Sequence, residues 1–197
     1  MKKFFFFVAI ALLCASCNTF DGPVITEDLN VGFFDAVEVI GHADILFAQD
    51  DVPGATLRTR EDYFDKVDVY VKGTTLVIDT RKRFGFSFGM DEVSLRLYSP
   101  RLKRVDIDGA ARFELTDGLI SADDLKVHID GAGELDLVGI SVRDLDVRID
   151  GAGEVYLDGE ADNAYLEIDG AGRIDARYLE VFGELRRHIA GIGEILL

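Results

Sequence analysis

Apolar and polar residues alternate in short runs along the second half of the chain, and each run ends in the same phrase. In one run Leu125, Val127 and Ile129 alternate with Lys126 and His128. A period of two predicts a β-strand with one buried face. The closing phrase, an isoleucine followed by a glycine-containing corner, occurs five times, starting at Ile107, Ile129, Ile149, Ile168 and Ile189.

The leading isoleucines are 22, 20, 19 and 21 residues apart, and this near-constant period indicates an array of similar units. Most phrases read Ile-Asp-Gly-Ala-Gly, and glycine provides the positive φ values that a tight corner between strands needs. Two architectures fit: a wound, single-stranded β-helix solenoid with one period per coil, and an up-and-down barrel of hairpins. We favour the β-helix because identical residues at a fixed offset suit the stacking of like on like.

Residues 30–100 continue the pattern in a weaker form. Val37 and Val39 lead into residues 41–45, an echo of the corner phrase, and no change of composition suggests a second domain. The sequence therefore predicts one domain over residues 32–197, preceded by a short tether over residues 18–31.

Residues 1–16 have the features of an export signal. Lys2 and Lys3 are followed by an apolar run over residues 4–13, too short for a membrane span of about 20 residues. Ala15 and Ser16 before Cys17 resemble a lipobox, so Cys17 is the predicted lipidation site and membrane anchor. The expectation is a cell-envelope lipoprotein anchored in the outer membrane, on its periplasmic or surface side; a plain cleaved signal is the alternative.

The formal net charge of −16 narrows the choice of partners. A surface this acidic repels phosphate backbones, so nucleic acid is excluded as a partner. Cations, basic protein surfaces and neutral glycans remain.

The lipobox, the strand that ends in residues 97–102 and the serial Ile-Asp-Gly-Ala-Gly corners together resemble the autotransporter-adhesin head domain, known as the head GIN domain. The resemblance covers residues 32–197, with Gly-Ala-Gly corners where the family has Gly-Ser-Gly. It implies a right-handed β-helix, similar in shape to the pectin lyases but without their catalytic residues, and a role in adhesion.

One aspartate follows the isoleucine in four phrases, and stacking would bring these side chains into a column. The favoured interpretation is an Asx-type turn, in which each carboxylate accepts hydrogen bonds from its own corner. The alternative is a ladder of bound Ca²⁺, although calcium needs six to eight oxygens and one carboxylate per corner falls short. Apart from this calcium alternative no cofactor is expected. The column consists of Asp108, Asp130, Asp150 and Asp169.

No residue pattern indicates catalysis. The three histidines, His42, His128 and His188, lack the spacing of metal ligands, and no carboxylate pair stands out as a glycosidase site. The prediction is therefore a non-catalytic binding or adhesion module that presents a β surface to a protein or glycan. A carbohydrate-active enzyme and a structural subunit of an envelope oligomer are the alternatives.

Two segments are candidates for contact with partners. The apolar end at Ile195, Leu196 and Leu197 suits packing under the last coil or pairing in a homo-oligomer. The other segment combines cations with phenylalanines and suits either a contact loop for a partner or membrane surface, or a hairpin that folds onto the core. Its candidate residues are Arg81, Lys82, Arg83, Phe84, Phe86 and Phe88.

Overall fold

A computed structural model describes residues 22–81, 93–120 and 124–197, and every element in these ranges except one short helix is a β-strand. The first half of the chain contributes β1 (Val24–Leu29), β2 (Ala36–Gly41), β3 (Asp44–Gln49), β4 (Gly54–Arg60), the helix α1 (Glu61–Phe64), β5 (Asp68–Lys72), β6 (Thr75–Asp79) and β7 (Val93–Ser99).

The second half contains the strands that carry the recurring phrase. They are β8 (Arg104–Gly109), β9 (Arg112–Leu115), β10 (Leu119–Ile120), β11 (Leu125–Gly131), β12 (Glu134–Gly151), β13 (Glu154–Gly170), β14 (Arg173–Val181), β15 (Leu185–Gly191) and β16 (Glu194–Leu196). Within the described ranges no helix is long and apolar enough to cross a membrane.

These strands form one mixed sheet that curls into a half-barrel. The prediction of a right-handed, single-stranded β-helix solenoid is wrong. The sheet contains antiparallel pairs, β1 with β4, β4 with β7 and β5 with β6, which a chain wound coil upon coil does not form. The hairpin barrel is wrong as well, because the phrase-bearing strands pair in parallel.

The recurrence in sequence corresponds to register between adjacent parallel strands. Ile107 on β8 lies opposite Ile129 on β11, which lies opposite Ile149 on β12, and the row continues through Ile168 to Ile189. Ile129, Ile149 and Ile168 are completely buried. The isoleucines of the first four phrases therefore belong to one continuous core on the concave side of the sheet, whereas Ile189 of the last phrase is 41% exposed.

Glycine is required where neighbouring corners touch. Gly151 has a φ of +139°, and a Cβ atom there would lie 2.4 Å from the carbonyl oxygen of Gly131. The N–H of Ala152 donates a hydrogen bond of 2.8 Å to the same oxygen. The corners thus hydrogen-bond directly to one another, and a side chain would separate them.

The two ends of the sheet depart from the pattern. Part of the predicted tether is strand β1, which pairs with β4. At the other end all seven residues of β15 are exposed, and within the described residues its partner strand is β13. Arg187 lies opposite the buried Leu166 of β13, so a cation replaces an aliphatic side chain in β15.

Candidate binding face

Strands β8, β11, β15 and the second halves of β12 and β13 present a face whose outward side chains form three rows. The start row lies where the strands begin and contains Arg104, Lys126, Asp146, Tyr165 and Arg186. The middle row contains Asp106, His128, Arg148, Glu167 and His188. The end row contains the predicted column, Asp108, Asp130, Asp150 and Asp169, and ends at Ala190.

The four end-row aspartates are adjacent and exposed, as the alternation predicts. Strands lie about 4.8 Å apart, so neighbouring carboxylates repel one another by about 1 kcal/mol in water. Two side chains approach the row: Arg81 Nη1 lies 3.6 Å from Asp108 Oδ2, and His128 Nε2 lies 3.7 Å from Asp150 Oδ2. Exposure to water and these neighbours limit the cost of the column.

The alanine N–H groups of the corners do not form the predicted Asx-type turn. The N–H of Ala132 donates to the carbonyl oxygen of Gly109, and the N–H of Ala171 donates to that of Gly151, both at 2.8 Å. Each alanine N–H therefore bonds to the neighbouring corner rather than to its own aspartate. Over the described residues no group of three or more histidine, cysteine or acidic side chains could hold a metal ion. The calcium ladder remains a hypothesis.

A shallow groove of about 520 Å³ runs along the start row. Arg143 holds one of its walls together, with Nη2 2.5 Å from Asp124 Oδ1 and Nε 3.1 Å from Asp144 Oδ2. Its lining consists of Asp124, Lys126, Asp144, Leu145, Asp146, Arg148, Asn163, Ala164, Tyr165, Glu184 and Arg186.

Tyr165 is the aromatic residue of this groove. Its half-buried ring lies under the Arg148 guanidinium, whose carbon is 5.2 Å from the ring centroid, and Arg148 Nε is 2.9 Å from Asp146 Oδ1. Burial raises the pKa of Tyr165, and a hydrogen bond with Glu167 adds to that shift. The phenol therefore stays neutral and presents an apolar ring among charged groups.

A second groove of about 350 Å³ adjoins the first, since Asp124 and Lys126 line both. Lys126 is exposed, and no carboxylate in the described residues lies within ion-pair distance of it. The second groove is lined by Asp35, Ala36, Thr74, Thr75, Lys103, Arg104, Asp124, Lys126 and Arg143.

The groove is absent from the sequence-based expectations, although a signal for it exists. Lys126, Asp146 and Tyr165 each stand three residues before the isoleucine of their phrase. This column marks one outward row of the face, although it does not show the walls that make it a groove.

The predicted contact residues are only partly placed. Arg81 is described, and its Nη2 lies 3.2 Å from Asp79 Oδ2, in addition to the contact with Asp108. Cys17 and the export signal lie outside the described residues, as do Lys82, Arg83, Phe84, Phe86 and Phe88.

Comparison with known proteins agrees with the fold. A family model described as "Putative auto-transporter adhesin, head GIN domain" matches residues 33–197. A crystal structure of a putative adhesin from Bacteroides fragilis is 24% identical, with a TM-score of 0.81 over 88% of this chain and 79% of that chain. A putative adhesin from Parabacteroides distasonis is 20% identical, with a TM-score of 0.74 over 89% and 82%.

A third similar structure is named as a putative lipid binding protein from Parabacteroides distasonis. It is 18% identical, with a TM-score of 0.67 over 89% of this chain and 96% of that chain. At these identities the likeness shows a shared fold alone. No functionally curated protein matches the chain.

Proposed function

Because the chain belongs to the family of the auto-transporter adhesin head GIN domain, as the corner phrases indicate, we propose that it is a non-catalytic adhesion module of the bacterial cell envelope. The observation that supports this most is the binding face, where three rows of outward side chains cross five strands in register. Such a surface offers many shallow contacts to an extended ligand rather than one enclosed pocket.

The carboxylates of the face support a non-catalytic role. Burial raises the pKa of Asp106, as an acid catalyst would need, but its neighbour is Arg104, with Nε 2.8 Å from Asp106 Oδ2. Glycoside hydrolysis uses two carboxyl groups on either side of a bond, and an acid held against an arginine is not available for that work. The names of the similar structures likewise describe adhesins or a binding protein.

An adhesin family of this kind indicates a protein of the cell envelope or surface. The finer proposal is a lipoprotein anchored in the outer membrane through Cys17. Metabolic labelling with a fatty-acid analogue should label the wild type and leave Cys17→Ala unlabelled, with the label in the outer-membrane fraction. Equal labelling of both proteins would contradict this anchor.

Adhesion is tested with the full-length protein displayed on the bacterial surface. Cells that carry it should be retained on glycan-coated or matrix-protein-coated surfaces under flow, and cells that carry a variant with Arg148→Glu and Lys126→Glu should be retained less. An Arg58→Glu and Lys72→Glu variant is the control, because neither residue lines the grooves of this face. Equal retention of cells with and without the protein would overturn the proposed function.

Catalysis is tested in parallel. Incubation of the purified protein with the same glycans should release no new reducing ends. Turnover that disappears in Asp106→Asn would favour the carbohydrate-active enzyme instead.

A further inference from the structure

We propose that the joined grooves along the start row bind a glycan strand that carries carboxylate groups. This rests on the proposed function and specifies the chemistry of its ligand. The grooves meet at Asp124 and Lys126, and their linings run from Thr75 on β6 to Arg186 on β15. Seven strands lie side by side from β6 to β15, and the six spacings of about 4.8 Å between them make the distance about 29 Å. A ligand that fills the site is therefore long and narrow.

The charge of the grooves differs from that of the whole chain. Their linings contain five carboxylates and six cations; Asp106 and Glu167 of the middle row, which contact Arg104 and Arg148, bring the local net charge to −1, in a chain whose net charge is −16. The end-row aspartates stand four residues further along the strands, about 13 Å away, and screening in physiological salt acts over about 8 Å. The cations are Lys103, Arg104, Lys126, Arg143, Arg148 and Arg186.

Lys126 provides the clearest binding element for an anion. It stands where the two grooves meet, it is exposed, and no described carboxylate pairs with it. The arginines beside it are held in place by carboxylates: Arg143 by Asp124 and Asp144, and Arg104 by Asp106 at 2.8 Å. A carboxylate on the ligand would give Lys126 a partner that the described residues do not supply, with a charge-assisted hydrogen bond.

The ligand is a glycan rather than a peptide because side chains, and not main-chain groups, line the middle of the groove. An extended peptide is commonly bound through main-chain groups at an open sheet edge. Here the groove crosses paired strands, so the neighbouring strands already use these main-chain groups. Tyr165, whose ring has the Arg148 guanidinium over one face, offers its remaining ring surface to the apolar face of a sugar, and Asn163 is oriented by hydrogen bonds to Asp144 and from the N–H of Glu184.

The experiment measures binding of the purified full-length protein to polymers by titration calorimetry, in about 0.15 M salt with a chelator present. The probes are polygalacturonate, alginate, fully methyl-esterified polygalacturonate and poly-glutamate. At least one acidic glycan should bind. The methyl ester of polygalacturonate keeps the sugar backbone but lacks the charge. It should bind at least about tenfold more weakly than polygalacturonate itself. Poly-glutamate should bind more weakly than the acidic glycan.

Two variants locate the site. Lys126→Gln and Tyr165→Ala should each weaken binding of the acidic glycan by about tenfold. Lys72→Gln and Tyr178→Ala remove an exposed lysine and an exposed tyrosine outside the grooves and should bind like the wild type. Circular dichroism of all four variants checks that the fold is retained.

Three results would overturn the inference: no binding of either acidic glycan, equal loss in the control variants, or poly-glutamate binding through the same two residues with equal affinity. The retention assay separates this outcome from a failure of the proposed function. Surface-retained cells whose protein does not bind acidic glycans would leave adhesion standing and remove the ligand assignment.

Discussion

The Asp175 carboxylate and the Arg177 guanidinium form a double ion pair across two residues of β14. Arg177 Nε lies 2.9 Å from Asp175 Oδ1, and Nη2 lies 2.6 Å from Oδ2. The Asp175 side chain is 11% exposed, whereas that of Arg177 is 51% exposed. The Arg177 hydrogen bonds lower the pKa of Asp175 from its ordinary value of 3.8 to about 2.

This ion pair makes the free energy of unfolding depend on pH in the acidic range. The pKa of Asp175 is lower in the folded chain than in the unfolded one, so its contribution to stability is complete above about pH 3.8 and is lost as the pH falls towards 2. Carbon-13 NMR of the carboxyl group should give a pKa of about 2 in the wild type and a value nearer 3.8 in Arg177→Gln. Arg112→Gln, which breaks a pair with Glu134 instead, should leave Asp175 unchanged. A wild-type value at or above 3.8 would contradict the pairing.

The corner contact predicts that two glycines differ in their tolerance of alanine. Gly151→Ala should cost about 3 kcal/mol or more, because positive φ and a Cβ placed 2.4 Å from the Gly131 carbonyl oxygen act together. Gly73 also has a positive φ, of +66°, but its Cβ would meet nothing within 4 Å, so Gly73→Ala should cost only about 1–2 kcal/mol. Urea unfolding of both variants measures the difference, and equal losses would mean that neighbouring corners do not touch.

The isoleucine row predicts a second contrast between identical substitutions. Ile149 is completely buried, so Ile149→Ala should lower the free energy of unfolding by about 2–5 kcal/mol. Ile192 takes the place of the corner alanine in the last phrase and is 88% exposed, so Ile192→Ala should change it by about 0.5 kcal/mol or less. Chemical denaturation of both variants would show comparable losses only if the last corner were covered by a partner or by the chain itself.

The end-row aspartates lead to a prediction about calcium. They are exposed and make no cluster that could hold a metal within the described residues, so millimolar Ca²⁺ should leave the melting temperature unchanged. A site filled at a hundred times its dissociation constant would instead add about 2.7 kcal/mol. Melting with Ca²⁺, with Mg²⁺ and after chelation makes the comparison. A rise specific to Ca²⁺ that Asp130→Asn abolishes would establish the calcium ladder.

The alternation and the spacing of the phrases were enough to predict the strands around Ile129, Ile149 and Ile168, their buried side and their alignment. They were not enough for the global fold. Period and alternation report which residues are neighbours in adjacent strands, but they say nothing about strands outside the phrases. The antiparallel pairing of β1 with β4 and of β4 with β7 depends on long-range contacts that leave no periodic trace.

The candidate site, like the fold, could be predicted only in part from the sequence. The outward position of Lys126 and Tyr165 follows from the alternation, as does the exposure of the aspartate column. The walls of the groove come from Asp124, Arg143 and Asn163, which lie at or before the beginnings of the phrase-bearing segments, and their direction depends on how each bend is made. Local patterns do not specify that direction, so the groove is found only in three dimensions.

Arg187 also affects whether a second copy of the protein can add a strand to the sheet at β15. On β15 Arg187 occupies the position that the buried Leu166 occupies on the neighbouring strand β13. Within the described residues the other edge of β15 carries no strand and Arg187 has no ion-pair partner, so a strand added there would have to enclose an unpaired guanidinium, at a cost of several kcal/mol. We therefore expect β15 to resist the addition of a strand from a neighbouring copy of the protein.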